Sequence, residues 1–370
     1  MKILNLLAAG QTGGIEVLCQ NIVLKSKEDN RACFLFSEGE IYDNLKKNNA
    51  KIFSTSYLNK NILRIVKTLE EYCKKEEIDI IIIHHGGMVC NIIYLLLMRK
   101  LKNIKFVRYL HGCFDKYSFG NNGNFIKRIL VRKIMKRALR KSDLIIYISE
   151  AVKRSFENVF KIKDINNKVI YNGIPDEFFV KEPLNKKENE KIQMAYVGRL
   201  AKLKGVDVLI DAMKILCEND KELKLSIVGN GEEEENLKKQ VEELKISDNI
   251  EFLGRKKDVL PILDSSDIFI YPSICDEGFG ISVIEAMSRG CIPITFEKGG
   301  LPEIITNRKN GILVKEVNSK ELAKWIQYVI SLDDNEKEKI RQEAIKRAND
   351  FNLENTIKEI ERELKTLKAE

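Results

Sequence analysis

The chain has 370 residues, more than a single hydrophobic core ordinarily serves, so two domains are expected. Its composition, 44% hydrophobic and 32% charged, is that of an ordinary globular protein, and no apolar run reaches the roughly 20 residues of a membrane span. The eight cysteines, Cys19, Cys33, Cys73, Cys90, Cys113, Cys217, Cys275 and Cys291, include no Cys-x-x-Cys pair, which argues against a disulfide framework or a cysteine zinc site and fits a reducing cytosol.

Charge is unevenly spread. Residues 1–178 hold 31 Lys+Arg against 18 Asp+Glu, and the remainder 32 against 37. A basic first half attracts phosphates or an anionic membrane surface.

Apolar runs of strand length recur at 3–7, 32–36, 78–83, 106–110 and 144–148. Near-continuous apolar strands alternating with amphipathic stretches predict a parallel sheet covered on both faces. The first of these runs could pass for a short signal segment, but one basic residue before it and glycines after it favour a strand and its loop. That loop, Gly10-Gln-Thr-Gly13-Gly14-Ile-Glu16, leads into a predicted helix to about Leu24. Paired glycines there allow the backbone close to a diphosphate, and equally allow close packing.

His84 and His85 directly follow residues 80–83, and His111 directly follows 106–110. All three therefore fall at carboxyl ends of strands, the edge where such sheets bind ligands. His84 and His85 are expected to be polar strand caps, and a three-histidine metal site is not supported by any carboxylate ligand motif.

Residues 125–141 predict a helix with Val131, Ile134, Met135 and Ala138 on one face. The other face carries Arg128, Arg132, Lys133, Lys136 and Arg140, with Phe125 and Ile129 among them. A helix lying on an anionic membrane and a solvated basic face are equal readings. No nucleic-acid recognition module accompanies the charge, so nucleic acid is not an expected partner.

The polar stretch 181–191 reads as a linker between a first domain, 1–180, and a second, 192–352. The second repeats the pattern with apolar runs at 194–197, 225–228, 268–271 and 292–295. Gly198 ends the first of these, leaving Arg199 at the sheet edge and Lys204 on the following loop. Two cations so placed can neutralise a departing diphosphate.

Residues 276–289, Asp-Glu-Gly-Phe-Gly-Ile-Ser-Val-Ile-Glu-Ala-Met-Ser-Arg, are the most informative. The strand at 268–271 stops at Pro272, Gly278 and Gly280 permit a tight turn, and a helix starts at Ile281. The helix N-terminus, with Phe279, Gly280 and Ile281, is suited to a phosphate. Glu277 and Glu285 flank it; ionised carboxylates only accept hydrogen bonds, so their partners are hydroxyls. A nucleotide-sugar has phosphates between two polyols and answers this pattern.

Glu277 and Glu285, separated by seven residues that begin Gly-Phe-Gly, resemble the Glu-x7-Glu signature of family 4 retaining glycosyltransferases, the glycosyl transferases group 1 of GT-B fold. The resemblance covers essentially the whole chain. It implies an α/β architecture of two doubly wound, Rossmann-like parallel-sheet domains facing a central cleft, with the last helix, 353–368, packed back on the first domain. It implies that Glu277, with Gly278, holds the donor sugar and Glu285 the ribose. Gly13, Gly14, Arg199, Lys204, Phe279, Gly280 and Ile281 would hold the diphosphate without a metal or other cofactor, and Gly254 and Arg255 would lie near the base. His111, in His111-Gly112, would contact the sugar or act on the acceptor hydroxyl.

The expected activity is transfer of a sugar, with retention, from a nucleoside-diphosphate sugar, UDP-linked by preference, to a glycan or lipid-linked glycan in bacterial surface polysaccharide synthesis. The expected place is the cytoplasm, with contact to the inner face of the membrane through 125–141. A nucleotide-sugar epimerase of the same fold and a catalytically silent partner subunit are the alternatives.

Overall fold

A computed structural model describes residues 1–84, 87–114, 125–179, 192–218 and 222–369, except the side chains of Phe125 and Lys127. The expected linker and His85 lie outside the described residues. The chain divides into two compact units, Met1–Asn172 with Glu354–Glu370, and Gly173–Leu353.

The first unit is built on seven strands: β1 (Lys2–Ala9), β2 (Asp29–Ser37), β3 (Ile52–Ser54), β4 (Ile80–Ile83), β5 (Lys105–Leu110), β6 (Leu144–Tyr147) and β7 (Asn167–Val169). They form one sheet in the order β3-β2-β1-β4-β5-β6-β7, every pair parallel. Its helices are α1 (Gly14–Lys25), α2 (Glu40–Lys47), α3 (Ile62–Lys75), α4 (Met88–Lys100), α5 (Phe125–Lys141) and α6 (Glu150–Phe160). The core holds Leu4, Leu6, Ile81, Ile83, Ile93 and Leu97. Both faces of such strands are covered, so their runs lack polar alternation. Arg108 is fully buried in β5, with Nη2 donating to the Met135 Sδ at 3.6 Å and its guanidinium 5.5 Å from the Tyr94 ring centre.

In α5, Met135 and Ala138 of the predicted sheet-facing side are buried, as is Leu139, and Val131 and Ile134 are partly buried. Ile126, Ile129 and Leu130 are exposed, at 71%, 39% and 50%. Ser149 caps α6, its Oγ accepting from the Val152 N–H at 3.1 Å.

The second unit holds six parallel strands. These are β8 (Gln193–Val197), β9 (Lys224–Val228), β10 (Ile250–Gly254), β11 (Ile268–Tyr271), β12 (Ile292–Phe296) and β13 (Ile312–Val314), in the order β10-β9-β8-β11-β12-β13. Around them lie α7 (Val206–Cys217), α8 (Glu234–Glu243), α9 (Leu260–Ser265), α10 (Ile281–Ser288), α11 (Leu301–Ile304), α12 (Ser319–Ser331) and α13 (Asp334–Ala348). α13 starts on a capping box of Asp333 and Glu336.

The chain then returns to the first unit as α14 (Leu353–Ala369). Ile357, Ile360, Leu364 and Leu367 are buried there, each burial favouring the docked helix by about 1.5–3 kcal/mol. Glu361 Oε1 accepts from Ser26 Oγ at 2.6 Å and from the Lys27 N–H at 2.9 Å.

Candidate functional site

In the second unit the loop after β8 closes as a short 3-10 turn, Lys202–Lys204, ending on Gly205 at φ +67°. A Cβ at Gly205 would run into the Pro272 carbonyl, so only glycine lets this loop press against the chain leaving β11. The Leu203 carbonyl accepts from the Ile274 N–H at 3.0 Å. Together these contacts bring Lys204 beside residues 271–277.

Lys204 Nζ donates to Glu277 Oε1 at 2.6 Å and to the Tyr271 hydroxyl at 2.9 Å. Ser273 Oγ donates to the same carboxylate oxygen. The two charged side chains are only 23% and 11% exposed, so their attraction is weakly screened. Burial alone would pull the Lys204 ammonium down, but the Glu277 carboxylate holds it above its ordinary range. Burial also pushes the Tyr271 phenol well above its usual value, so it stays neutral. The Gly300 N–H donates to the Glu277 carbonyl at 2.8 Å, and a Cβ at Gly299, φ +54°, would collide with the Glu277 backbone. The Gly299-Gly300 pair therefore sets the position of Glu277. Gly300 also occupies the cap position of α11, and Glu303 lies in its first turn.

Gly280 caps α10 at φ +113°, with no side chain bonded to the helix start. Phe279 is buried, its ring 5.3 Å from that of Phe351 in an edge-on contact, so only its backbone can meet a ligand. Glu285, on α10, is partly buried. Desolvation pushes its carboxyl up to about 7, and the like charge of Glu177 adds to the shift. Arg199 stands apart from Lys204 in its partner: its Nη2 meets Glu232 Oε2 at 2.9 Å with both side chains exposed. Gly254, at φ +64°, accepts from the Gly229 N–H at 2.9 Å, and Arg255 is exposed.

In the first unit, Gly13 caps α1 and Gly14 opens it. A Cβ on Gly13 would lie 2.5 Å from Glu16 Oε2, so the Glu16 carboxyl folds back over the helix start. His111 follows β5, as expected, and His84 follows β4. His84, expected as a polar strand cap, makes more contacts than that position alone requires. It is buried, 3% exposed, with Nε2 3.0 Å from Asn5 Oδ1 and Nδ1 3.0 Å from His111 Nε2. β1 lies beside β4 and β4 beside β5, which brings residues 5, 84 and 111 to neighbouring strand positions. Among the described residues no group of three or more His, Cys, Asp or Glu is arranged to hold a metal.

Comparison with known proteins agrees with this architecture. The family model "Glycosyl transferases group 1" matches residues 177–347 and "Glycosyltransferase Family 4" matches residues 26–178. An uncharacterised glycosyltransferase of Haemophilus influenzae is 32% identical over 275 residues, 74% of this chain and 73% of its own. The crystal structure of Anabaena Alr3699/HepE in complex with UDP is similar with a TM-score of 0.84 at 21% identity, covering 99% of this chain and 100% of that one. The lipopolysaccharide outer core galactosyltransferase WaaB, in its apo form, is similar with a TM-score of 0.75 at 18% identity, covering 99% of each chain.

Proposed function

Because the chain belongs to glycosyltransferase family 4 and has the GT-B fold, we propose that it is a retaining hexosyltransferase using a UDP-sugar. The acceptor in this reading is a hydroxyl of a glycan or lipid-linked glycan of a bacterial surface polysaccharide. The observation that carries it is the Lys204–Glu277 pair at the carboxyl end of β11, next to the glycine-capped start of α10. Glu277 and Tyr271 engage two of the three ammonium N–H groups, which leaves one to meet a phosphate oxygen.

In this reading Lys204 and Arg199 stabilise the charge on the departing diphosphate, the amides from Phe279 to Ile281 bind it, and Gly13 and Gly14 approach it by backbone. Glu277, with Gly278, accepts from sugar hydroxyls and Glu285 from the ribose; Gly254 and Arg255 flank the base, and His111 meets the sugar or the acceptor hydroxyl. The bond from the anomeric carbon to the β-phosphate oxygen breaks, the acceptor oxygen bonds to the same face of that carbon, and its proton passes to the leaving phosphate. A covalent sugar on the enzyme would need a second carboxylate opposite the leaving group, and the motifs supply none. The diphosphate charge is met by side chains and amides, so activity should persist in EDTA.

The exposed Ile126, Ile129 and Leu130 beside the cations of α5 support docking on the inner face of the membrane. Among the described residues no helix is long and apolar enough to cross a membrane.

A thermal-shift panel of UDP, GDP, ADP and their glucose conjugates tests donor use, followed by product analysis. Acceptor-dependent release of UDP with α-linked product from an α-linked donor supports the proposal. Binding without release would indicate a silent partner, epimerised donor would indicate an epimerase, and no shift with any nucleotide would sink the reading.

A further inference from the structure

We propose that His84 is a positioning residue that fixes the tautomer of His111, so that His111 presents Nδ1 as its proton-accepting atom. The inference rests on the proposed role of His111.

The hydrogen-bond directions follow from Asn5 outward. Its side chain is fully buried, and its Nδ2 lies 3.1 Å from both Asn30 Oδ1 and the Arg31 carbonyl. Both are acceptors, so the amide nitrogen must face them and Oδ1 must face His84. A carbonyl oxygen only accepts, so His84 Nε2 carries the proton and donates to it. In a neutral imidazole the other nitrogen is then the lone-pair atom, so His84 Nδ1 accepts from a proton on His111 Nε2. The proton on Nε2 leaves Nδ1 of His111 with the lone pair.

Two features hold this order in place. The Tyr109 ring lies 4.4 Å from that of His111 and 5.5 Å from that of His84, which restricts both ring planes. The His84 N–H of the backbone donates to the Leu6 carbonyl at 3.3 Å, tying the histidine to β1, the strand that bears Asn5. If His111 takes the acceptor's proton on Nδ1 on its way to the leaving phosphate, it keeps its Nε2 proton, and the lone pair of His84 remains to stabilise the transient imidazolium. This is the role a carboxylate has beside a catalytic histidine, performed here by a neutral side chain whose own tautomer is set by an amide.

The chain has three histidines, so selective ¹⁵N labelling gives a spectrum assignable by single substitutions. The expected wild-type signal for His111 is a protonated Nε2 and an unprotonated Nδ1. His84→Phe should yield a mixture of tautomers, and His84→Asn, whose Oδ1 replaces the accepting Nδ1, should restore one. Turnover is read as UDP release from UDP-glucose with water as acceptor. His84→Phe should lower kcat about tenfold with the donor KM unchanged, and His84→Asn should recover most of it.

A wild-type His111 protonated on Nδ1, or an unchanged tautomer in His84→Phe, overturns the proposal. Should His84→Phe fail to fold, a mixed tautomer in folded His84→Asn overturns it as well. If His111→Ala lowers turnover about 100-fold or more while His84→Phe does not lower it, the positioning role fails and the proposed function stands. If His111→Ala is fully active, the role of His111 fails and this inference falls with it.

Discussion

Lys204 and Glu277 are 73 residues apart in sequence and meet at 2.6 Å, one on the loop after β8 and the other on the loop after β11. Neither charge is stable alone at that degree of burial. Lys204→Met should therefore do more than remove a phosphate contact, because it leaves the Glu277 carboxylate half-buried beside Ser273. The expected kcat/KM loss is on the order of 10²–10³, with the far-UV spectrum of the fold retained. Activity within about threefold of wild type would remove Lys204 from the site.

Glu285 should make donor binding and stability respond to pH in opposite senses. Its carboxyl titrates at about 7 in the folded chain, above the unfolded value of about 4.3. The folded state holds the extra proton, so the stability it contributes is complete below about 4.3 and is lost as pH rises through 7. Ribose hydroxyls need the ionised form as acceptor, so UDP affinity should rise over the same interval. Glu285→Gln should be more stable than wild type at pH 8, match it at pH 4, and bind UDP about 10- to 100-fold more weakly at pH 8. Calorimetric binding and thermal melts at the two pH values check this. Equal UDP affinity for the two proteins at pH 8 would contradict it.

Gly299→Ala tests the backing of Glu277. The residue has φ +54°, and its new methyl group would strike the Glu277 backbone. A loss of about 1–3 kcal/mol in chemical denaturation is expected, together with weaker donor binding. Gly87→Ala serves as control, since a Cβ there meets nothing within 4 Å, and it should leave stability unchanged within about 0.5 kcal/mol.

Ile126→Asp with Leu130→Asp should lower sedimentation with vesicles containing phosphatidylserine at least fivefold while leaving the melting temperature unchanged, since both side chains are exposed. Unchanged vesicle binding would assign the basic face of α5 to solvent.

The long elements were legible because periodicity alone specifies them. The span 125–141 matches α5 residue for residue, and nine apolar runs fell on strands. The short edge strands β3, β7 and β13, three residues each, left no pattern long enough to read. Arg108 was counted within an apolar run because Phe106, Val107, Tyr109 and Leu110 flank it, and it is buried as fully as they are. The bond between His84 and His111 was invisible for a different reason. Position at a strand end is local, but contact between residues 27 apart depends on which strands are adjacent, and sheet order is set by the packing of the whole unit. The same holds for Lys204 and Glu277, whose meeting needs β8 and β11 side by side.

The return of α14 to the first unit has a consequence for synthesis. Residues 173–353 form a continuous stretch and have left the ribosome before α14 emerges, so the second unit can complete its core first. The sheet begun by Met1 must wait, with the surface for Ile357, Ile360, Leu364 and Leu367 uncovered, until α14 itself emerges. That reverses the usual N-terminal-first order of domain folding, and it makes the first unit the one most dependent on chaperones while the nascent chain is still attached.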